Sequence, residues 1–272
     1  MTMILPQYSV LMSVYAKEKA EYLERSINSV LQQTVKTDDF VVVCDGSLTA
    51  ELDEVIRKYN SSLNVVRLPQ NQGLGAALDE GLTHCRYDLV ARMDSDDVSL
   101  PQRCEKELKM FAANPELAIC SAGLAEFQDD ENVLVGKRVL PTEHNAICTY
   151  SKKRCPFNHP VVMYRKSAVL AVGGYTSEFL MFEDYPLWVR LLKAGYQSAN
   201  CDEVLLLMRT PVDMYKRRGG TAYTKNMLRF HWWMYKEGWS SIVDFGTGAL
   251  PHAVICVLPN GVRKGVYKFL HK

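Results

Sequence analysis

The sequence predicts an α/β domain on a Rossmann-like central, mostly parallel sheet, flanked by helices. Three observations lead there. Short apolar runs alternate with helical patterns through the first hundred residues. Polar clusters follow three of those runs, at Tyr15 to Glu18, Asp45 to Ser47 and Asp94 to Asp97. In a chain of 272 residues, 47% apolar residues supply a substantial core. Ligands of such sheets sit beyond the carboxyl ends of the strands, where these polar clusters fall.

Tyr8 to Val14 is a continuous apolar strand, and a helix over Glu21 to Gln33 places Leu23, Ile27, Val30 and Leu31 on one face. Phe40 to Cys44 is a strand ending in Asp45, Gly46 and Ser47. A helix over Glu51 to Tyr59 and a strand over Leu63 to Leu68 come next, and Asn71, Gln72 and Gly73 precede a helix over Leu74 to Cys85. Leu89 to Ala91 is a short strand that breaks at Asp94, Ser95, Asp96 and Asp97, with a helix restarting at Pro101. Beyond it the alternation fades. Leu117 to Phe127 and Val133 to Leu140 read as strands around an acidic turn, and Val161 to Tyr164 follows Asn158, His159 and Pro160. After the turn at Gly173 and Gly174 come a helix over Pro186 to Lys193, a strand over Val204 to Met208 and an aromatic-rich helix over Tyr223 to Tyr235. The expected organisation is one domain over residues 1–240, in halves of 1–103 and 104–240, with a tail over 241–272.

A net charge of +1 argues against a general nucleic-acid binder. The charge is unevenly placed: no Asp or Glu follows Asp244, whereas Arg263, Lys264, Lys268 and Lys272 do, interleaved with Val262, Val266, Tyr267, Phe269 and Leu270. Such a piece suits an anionic membrane surface or packing on the domain. Eight cysteines without a CxxC pair read as reduced, buried thiols of a cytosolic protein. The apolar start is interrupted by Pro6 and Gln7 and reads as a first strand, not a secretory leader. No apolar run reaches membrane-spanning length.

Three carboxylates in four residues at the end of a buried strand repel one another unless a cation resolves the repulsion. Oxygen-only ligands suit Mg²⁺ or Mn²⁺. A solvated acidic turn, with Asp97 or Ser99 capping the next helix, fits the same residues.

The blocks YSVLMSVYAKE, SVLQQT, VVVCDGS, NQGLGAALDEGL, ARMDSDDVSLPQR and GGYTSEFLMFEDYPLWVRLLKAG, in that order, resemble family 2 inverting glycosyltransferases of the GT-A fold. The resemblance covers roughly Tyr8 to Arg209, and is nearest to bacterial enzymes of O-antigen, capsule and exopolysaccharide synthesis. Two departures are visible: Cys44-Asp45 stands where the family has an Asp pair, and Ala16 stands where it often has Asn. The resemblance implies that residues 1–103 bind a nucleotide-sugar, residues 104–240 shape the acceptor side, Asp96 ligates the metal, Asp94 reaches the ribose or the metal, and Asp184 is the catalytic base. Glu183 then helps to orient the acceptor, and Asp97 caps a helix or supports the site.

Other residues carry two readings each. Asp45 accepts from the nucleotide base or closes an Asx turn. Tyr15 stacks on the base and Glu18 starts the next helix, or both are structural. Asn71 lies in the loop facing the donor. Asp184 sits where a helix N-terminus favours an anion, so it is a cap, a base, or both. His159 contacts the donor or holds a turn. Arg92, and Arg217 and Arg218 before a Gly pair, meet the diphosphate or water.

The expectation is a cytoplasmic enzyme, peripheral on the inner face of the plasma membrane. It transfers a hexose from a UDP-sugar to a glycan on an undecaprenyl diphosphate carrier, with Mn²⁺ or Mg²⁺. Two alternatives are a metal-dependent sugar nucleotidyltransferase, against which the glycine-free YAKEK loop argues, and a non-catalytic nucleotide-sugar-binding module.

Overall fold

The computed structural model describes residues 4–176, 178–179, 182–210 and 220–257. The sheet contains β1 (Tyr8–Val14), β2 (Phe40–Cys44), β3 (Asn64–Arg67), β4 (Leu89–Asp94), β5 (Val98–Ser99), β6 (Leu117–Phe127), β7 (Leu134–Arg138), β8 (Val162–Arg165) and β9 (Gln197–Arg209). Between them run α1 (Ala20–Leu31), α2 (Ala50–Lys58), α3 (Leu74–His84), α4 (Arg103–Ala113), α5 (His144–Tyr150), α6 (Lys166–Ala171) and α7 (Tyr185–Lys193). Past β9 come α8 (Thr221–Lys236) and a bent rod: α9 (Ile242–Asp244), a π turn (Phe245–Ala249) and α10 (Leu250–Val257).

The strand order is β3-β2-β1-β4-β8-β6-β9-β5, with β7 paired to β6. β3, β2, β1 and β4 run parallel, β8 joins β4 and β6 antiparallel, and β6 and β9 pair parallel along most of their length. Helices cover both faces, which is why the inner strands are predominantly apolar. Along β1 the side chains alternate: Val10, Met12 and Val14 join the core under α1, α2 and α4, while Leu11 joins the core shared with α3 and α7. α3 lies so close to the sheet that a Cβ at Gly81 would collide with Leu11 and approach Val43 Cγ2 at 2.7 Å.

The end of β4 is fixed from beneath by a buried ion pair. Arg103 and Glu107 pair one turn apart on α4, and Arg103 Nη2 donates to the carbonyl oxygens of Arg92 (2.7 Å) and Val162 (3.3 Å). Burial pushes the Glu107 carboxyl up to about 7 against the pull of Arg103. The helix expected to restart at Pro101 begins two residues later, at Arg103, with Asp97 six residues before that start. β9 begins seven residues before the expected strand, because Gln197, Asn200, Asp202 and Glu203 interrupt the apolar pattern while the backbone continues beside β6.

On the other side, α8 buries Phe230 against Tyr185 (4.6 Å between ring centres) and Phe179 (5.4 Å). The rod packs back on α8: Gly220 N donates to the Cys256 carbonyl (3.0 Å), and the Trp232 and Phe245 rings meet at 5.7 Å. Among the described residues no helix is long and apolar enough to cross a membrane. The expected basic segment over 258–272 lies outside the described residues.

Candidate active site

The site begins where β4 ends. Ser26 Oγ on α1 donates to the Asp94 carbonyl (2.7 Å), fixing the turn that presents Asp94, Asp96 and Asp97 with carboxylate oxygens within 4.8 Å of one another. Arg92, two residues back and 1% exposed, forks onto both oxygens of Asp94. Its expected contact with a diphosphate is therefore corrected: the guanidinium lies beneath the carboxylates and acts on the site through Asp94.

One arginine does not neutralise three acids. Burial, then Asp94 and Glu18, push the Asp96 carboxyl up to about 7, and burial with Asp96 and Asp94 holds Asp97 well above the ordinary range. Asp97 accepts from the Arg209 backbone N (2.7 Å) through Oδ1, while its buried Oδ2 has no hydrogen-bond partner. Asp97 thus supports the site and does not cap a helix. An oxygen-only donor set with surplus negative charge and an unsatisfied buried oxygen fits a hard divalent cation.

The second cluster follows β2. Asp45 is buried, and its carboxylate accepts from Gln72 N (2.7 Å), Gly73 N (3.0 Å) and Asn71 Nδ2 (2.9 Å). Three of about four acceptor sites on the carboxylate are thereby used on the 71–73 loop, leaving about one for any ligand. Gly46, at φ +84°, brings the chain against that loop; a Cβ there would lie 2.7 Å from Asn71 N. Tyr15, immediately after β1, is exposed. Glu18 lies just before α1, whose N-cap is Lys19, and accepts from Ser95 Oγ (3.2 Å), joining the first loop to the acidic turn.

The third cluster lies before α7. Asp184 occupies the N-cap position, yet its side chain makes no capping bond. Its Oδ2 accepts from Trp188 Nε1 (3.3 Å) and faces the Cys155 thiol (3.6 Å). Burial raises this carboxyl above its ordinary range, more than Trp188, its backbone, Cys155 and the Arg92 charge lower it. The helix end favours the anion, as expected of this position, but desolvation within the folded chain outweighs it. Glu183 packs beside Gly75 at the start of α3, where a Cβ on that glycine would lie 3.5 Å from the Glu183 Cβ. From the middle of α3, Asp79 Oδ1 accepts from Tyr175 N (2.8 Å). His159 meets the Tyr175 hydroxyl at 3.1 Å and the Trp188 ring at 5.9 Å; burial and Arg92 hold its pKa well below the usual value, so the ring is neutral.

The structure brings Asp94, Asp96, Arg92 and Glu18 together, ties Asp45 to Asn71, and sets Asp184 and His159 around Trp188. Arg217 and Arg218 lie outside the described residues. Sequence reasoning missed Arg209. Its backbone holds Asp97, its Nε donates to the Asp96 carbonyl (3.2 Å), and its guanidinium stacks 3.8 Å from the Tyr22 ring centre. No local pattern announces that role across more than a hundred residues. Trp188 and Cys155 were likewise legible only as core residues.

A family model described as Glycosyl transferase family 2 matches residues 9–170. The chain is 36% identical over 268 residues to the Escherichia coli UDP-Gal:alpha-D-GlcNAc-diphosphoundecaprenol beta-1,3-galactosyltransferase, covering 97% of this chain and 96% of that one. It is 38% identical over 226 residues to the amylovoran biosynthesis glycosyltransferase AmsE of Erwinia amylovora, covering 82% and 84%. Among solved structures, the mannosyltransferase PcManGT from Pyrobaculum calidifontis in complex with GDP-Man and Mn2+ matches with a TM-score of 0.66 at 15% identity, over 98% of this chain and 81% of that one. At that identity the likeness is one of fold, and the fold is the expected GT-A arrangement. Family and relatives alike speak for transfer of a sugar and against the nucleotidyltransferase alternative; the chain is a glycosyltransferase and belongs to glycosyl transferase family 2.

Proposed function

We propose that the protein is an inverting hexosyltransferase that moves a hexose from a UDP-sugar to a glycan carried on undecaprenyl diphosphate, in the assembly of a bacterial surface polysaccharide. The observation that carries this is the presence of two carboxylate groups within reach of the Arg92 charge: the acidic turn after β4, and Asp184 held by Trp188. The name of the Escherichia coli relative supports the donor and acceptor classes.

Asp96 and Asp94 would hold Mn²⁺ or Mg²⁺, which supplies Lewis-acid relief of the charge that develops on the leaving diphosphate. The protein does the rest. Tyr15 and the remaining acceptor capacity of Asp45 contact the nucleotide, while Asn71 and Asp45 keep the 71–73 loop in place. Asp184 takes the proton of the acceptor hydroxyl as that oxygen bonds the anomeric carbon from the face opposite the diphosphate. The bond from carbon to diphosphate breaks, and its electron pair leaves with UDP. Trp188 fixes the carboxylate's orientation, and its raised pKa makes it a stronger base than an exposed Asp. Glu183, next in the chain, orients the acceptor. We assign residues 1–103 to the donor half, 104–240 to the acceptor half and 241–272 to membrane attachment on the cytoplasmic face.

Asp184→Asn tests the base. Transfer should fall roughly 10²–10⁴-fold, the range of a lost general base, while metal-dependent UDP binding measured by calorimetry stays unchanged. In the wild type, kcat/KM should decline on the acid side at a pH above the ordinary carboxylate range, since protonated Asp184 accepts no proton. Full transfer by the Asn variant removes Asp184 from the role.

A further inference from the structure

The exposed face of α8 carries Lys225, Arg229, Trp232 and Lys236, spaced at i, i+4, i+7 and i+11 on one stripe. Its opposite face buries Met227, Phe230, His231 and Met234. The rod that follows has the complementary pattern. Leu250 and Val254 lie one turn apart on α10 and, with Ile242 and Val243 on α9, are 50% to 65% exposed. The basic stripe and the apolar stripe meet at Trp232, whose ring sits against Phe245 and beneath the Lys236 ammonium.

The acids bordering this surface are already engaged: Glu178 with Arg229, Glu237 with Lys193, and Asp244 with Lys153 and the Ser241 cap. The chain then continues for fifteen residues containing four Lys or Arg and no Asp or Glu. An apolar helical stripe, an exposed Trp and flanking cations are the three elements that hold a helix in the interface of an anionic bilayer. A protein partner matched to the apolar stripe alone would leave Lys225 and Lys236 without an anionic counterpart.

We infer that the α8 stripe and the rod together dock on an anionic phospholipid surface. The docking face is therefore built into the folded domain. The buried side of α8 packs on Tyr185, next to Asp184, and Phe182 meets Tyr223 at 5.4 Å. One helix diameter of about 10 Å thus separates the docked surface from the candidate base. That places the base within reach of a sugar close to its lipid diphosphate. The inference rests on the proposed lipid-linked acceptor for its purpose alone.

Flotation of the full-length protein with vesicles of phosphatidylglycerol and phosphatidylcholine, against phosphatidylcholine alone, tests it without reference to transfer. The wild type should partition at least about tenfold more strongly onto the anionic vesicles, and salt should weaken it. Leu250→Gln with Val254→Gln, and separately Lys225→Glu with Lys236→Glu, should each lower partitioning about tenfold with unchanged melting temperature. Both pairs are solvent-exposed, so neither needs the core to adjust. Wild-type partitioning by both double variants, or no preference for anionic vesicles, overturns the inference whatever Asp184→Asn does. A dimer in sedimentation velocity that the Leu250 and Val254 substitutions dissociate, with vesicle binding intact, overturns it in favour of a second copy of the chain.

Discussion

Replacing Arg92 by Met should loosen the whole carboxylate turn. Arg92 is 1% exposed and forks onto Asp94, whose side chain is 31% exposed. Removing one partner of a buried pair costs about 3–5 kcal/mol, and Asp94's partial access to water places this case near the lower end, at about 3 kcal/mol. The guanidinium also lowers the pKa values of Asp96, Asp97 and Asp184, so its loss leaves all three harder to ionise. For a chain of this size, 3 kcal/mol corresponds to a fall in melting temperature of roughly 6–12 °C. Scanning calorimetry of the variant at pH 7 measures the shift, and the acid limb of the transfer rate should move to higher pH in parallel. The charge argument is refuted if Arg92→Met melts within about 2 °C of the wild type and keeps its pH profile. Arg92→Lys, with a compact ammonium that cannot fork, should fall between the two.

Two further outcomes follow from the packing. His231 on α8 is 3% exposed, and burial holds its pKa at about 4 against an ordinary 6.5. Between those pH values the unfolded chain binds a proton that the folded chain refuses, so stability should fall by up to about 3 kcal/mol as pH drops through the window. Urea titrations at pH 7 and pH 4 measure it, and His231→Phe should abolish this part of the slope. Gly81→Ala forces a methyl against Leu11 and Val43 on the sheet and should cost about 1–3 kcal/mol by thermal unfolding. A neutral result there would mean that α3 can lift from the sheet without penalty.

The strands were legible because both faces of the sheet are covered: β1 and β6 match their predicted limits to the residue, each predominantly apolar, with Ser9 and Ser13 in β1 and Ser121 and Glu126 in β6 as the exceptions. Short elements were not. α5, seven residues with no side-chain cap, and β5, two residues, carry too little periodicity to announce themselves. At the site, sequence located Asp94 to Asp97 and Asp184 as chemical groups but missed what surrounds them. Asp97 looked like a cap because Pro101 follows, whereas its partner is the Arg209 backbone at the far end of β9. Asp184 stood at the N-cap as expected, but its burial is a tertiary effect, and beside Trp188 of its own helix it meets Cys155 from a segment almost thirty residues away. Such long-range choices lie in the tertiary packing and leave no local signature.

Helix α3 deserves to be considered as a gauge. Its leading loop is pinned by Asp45 at the end of β2, Gly75 in its first turn abuts Glu183, and Asp79 in its middle grips Tyr175. The span from the second strand to the segment bearing Asp184 is therefore set by one rigid rod of eleven residues. Changes in the irregular segments beyond leave that interval unaltered as long as the contacts at Gly73, Gly75 and Asp79 persist.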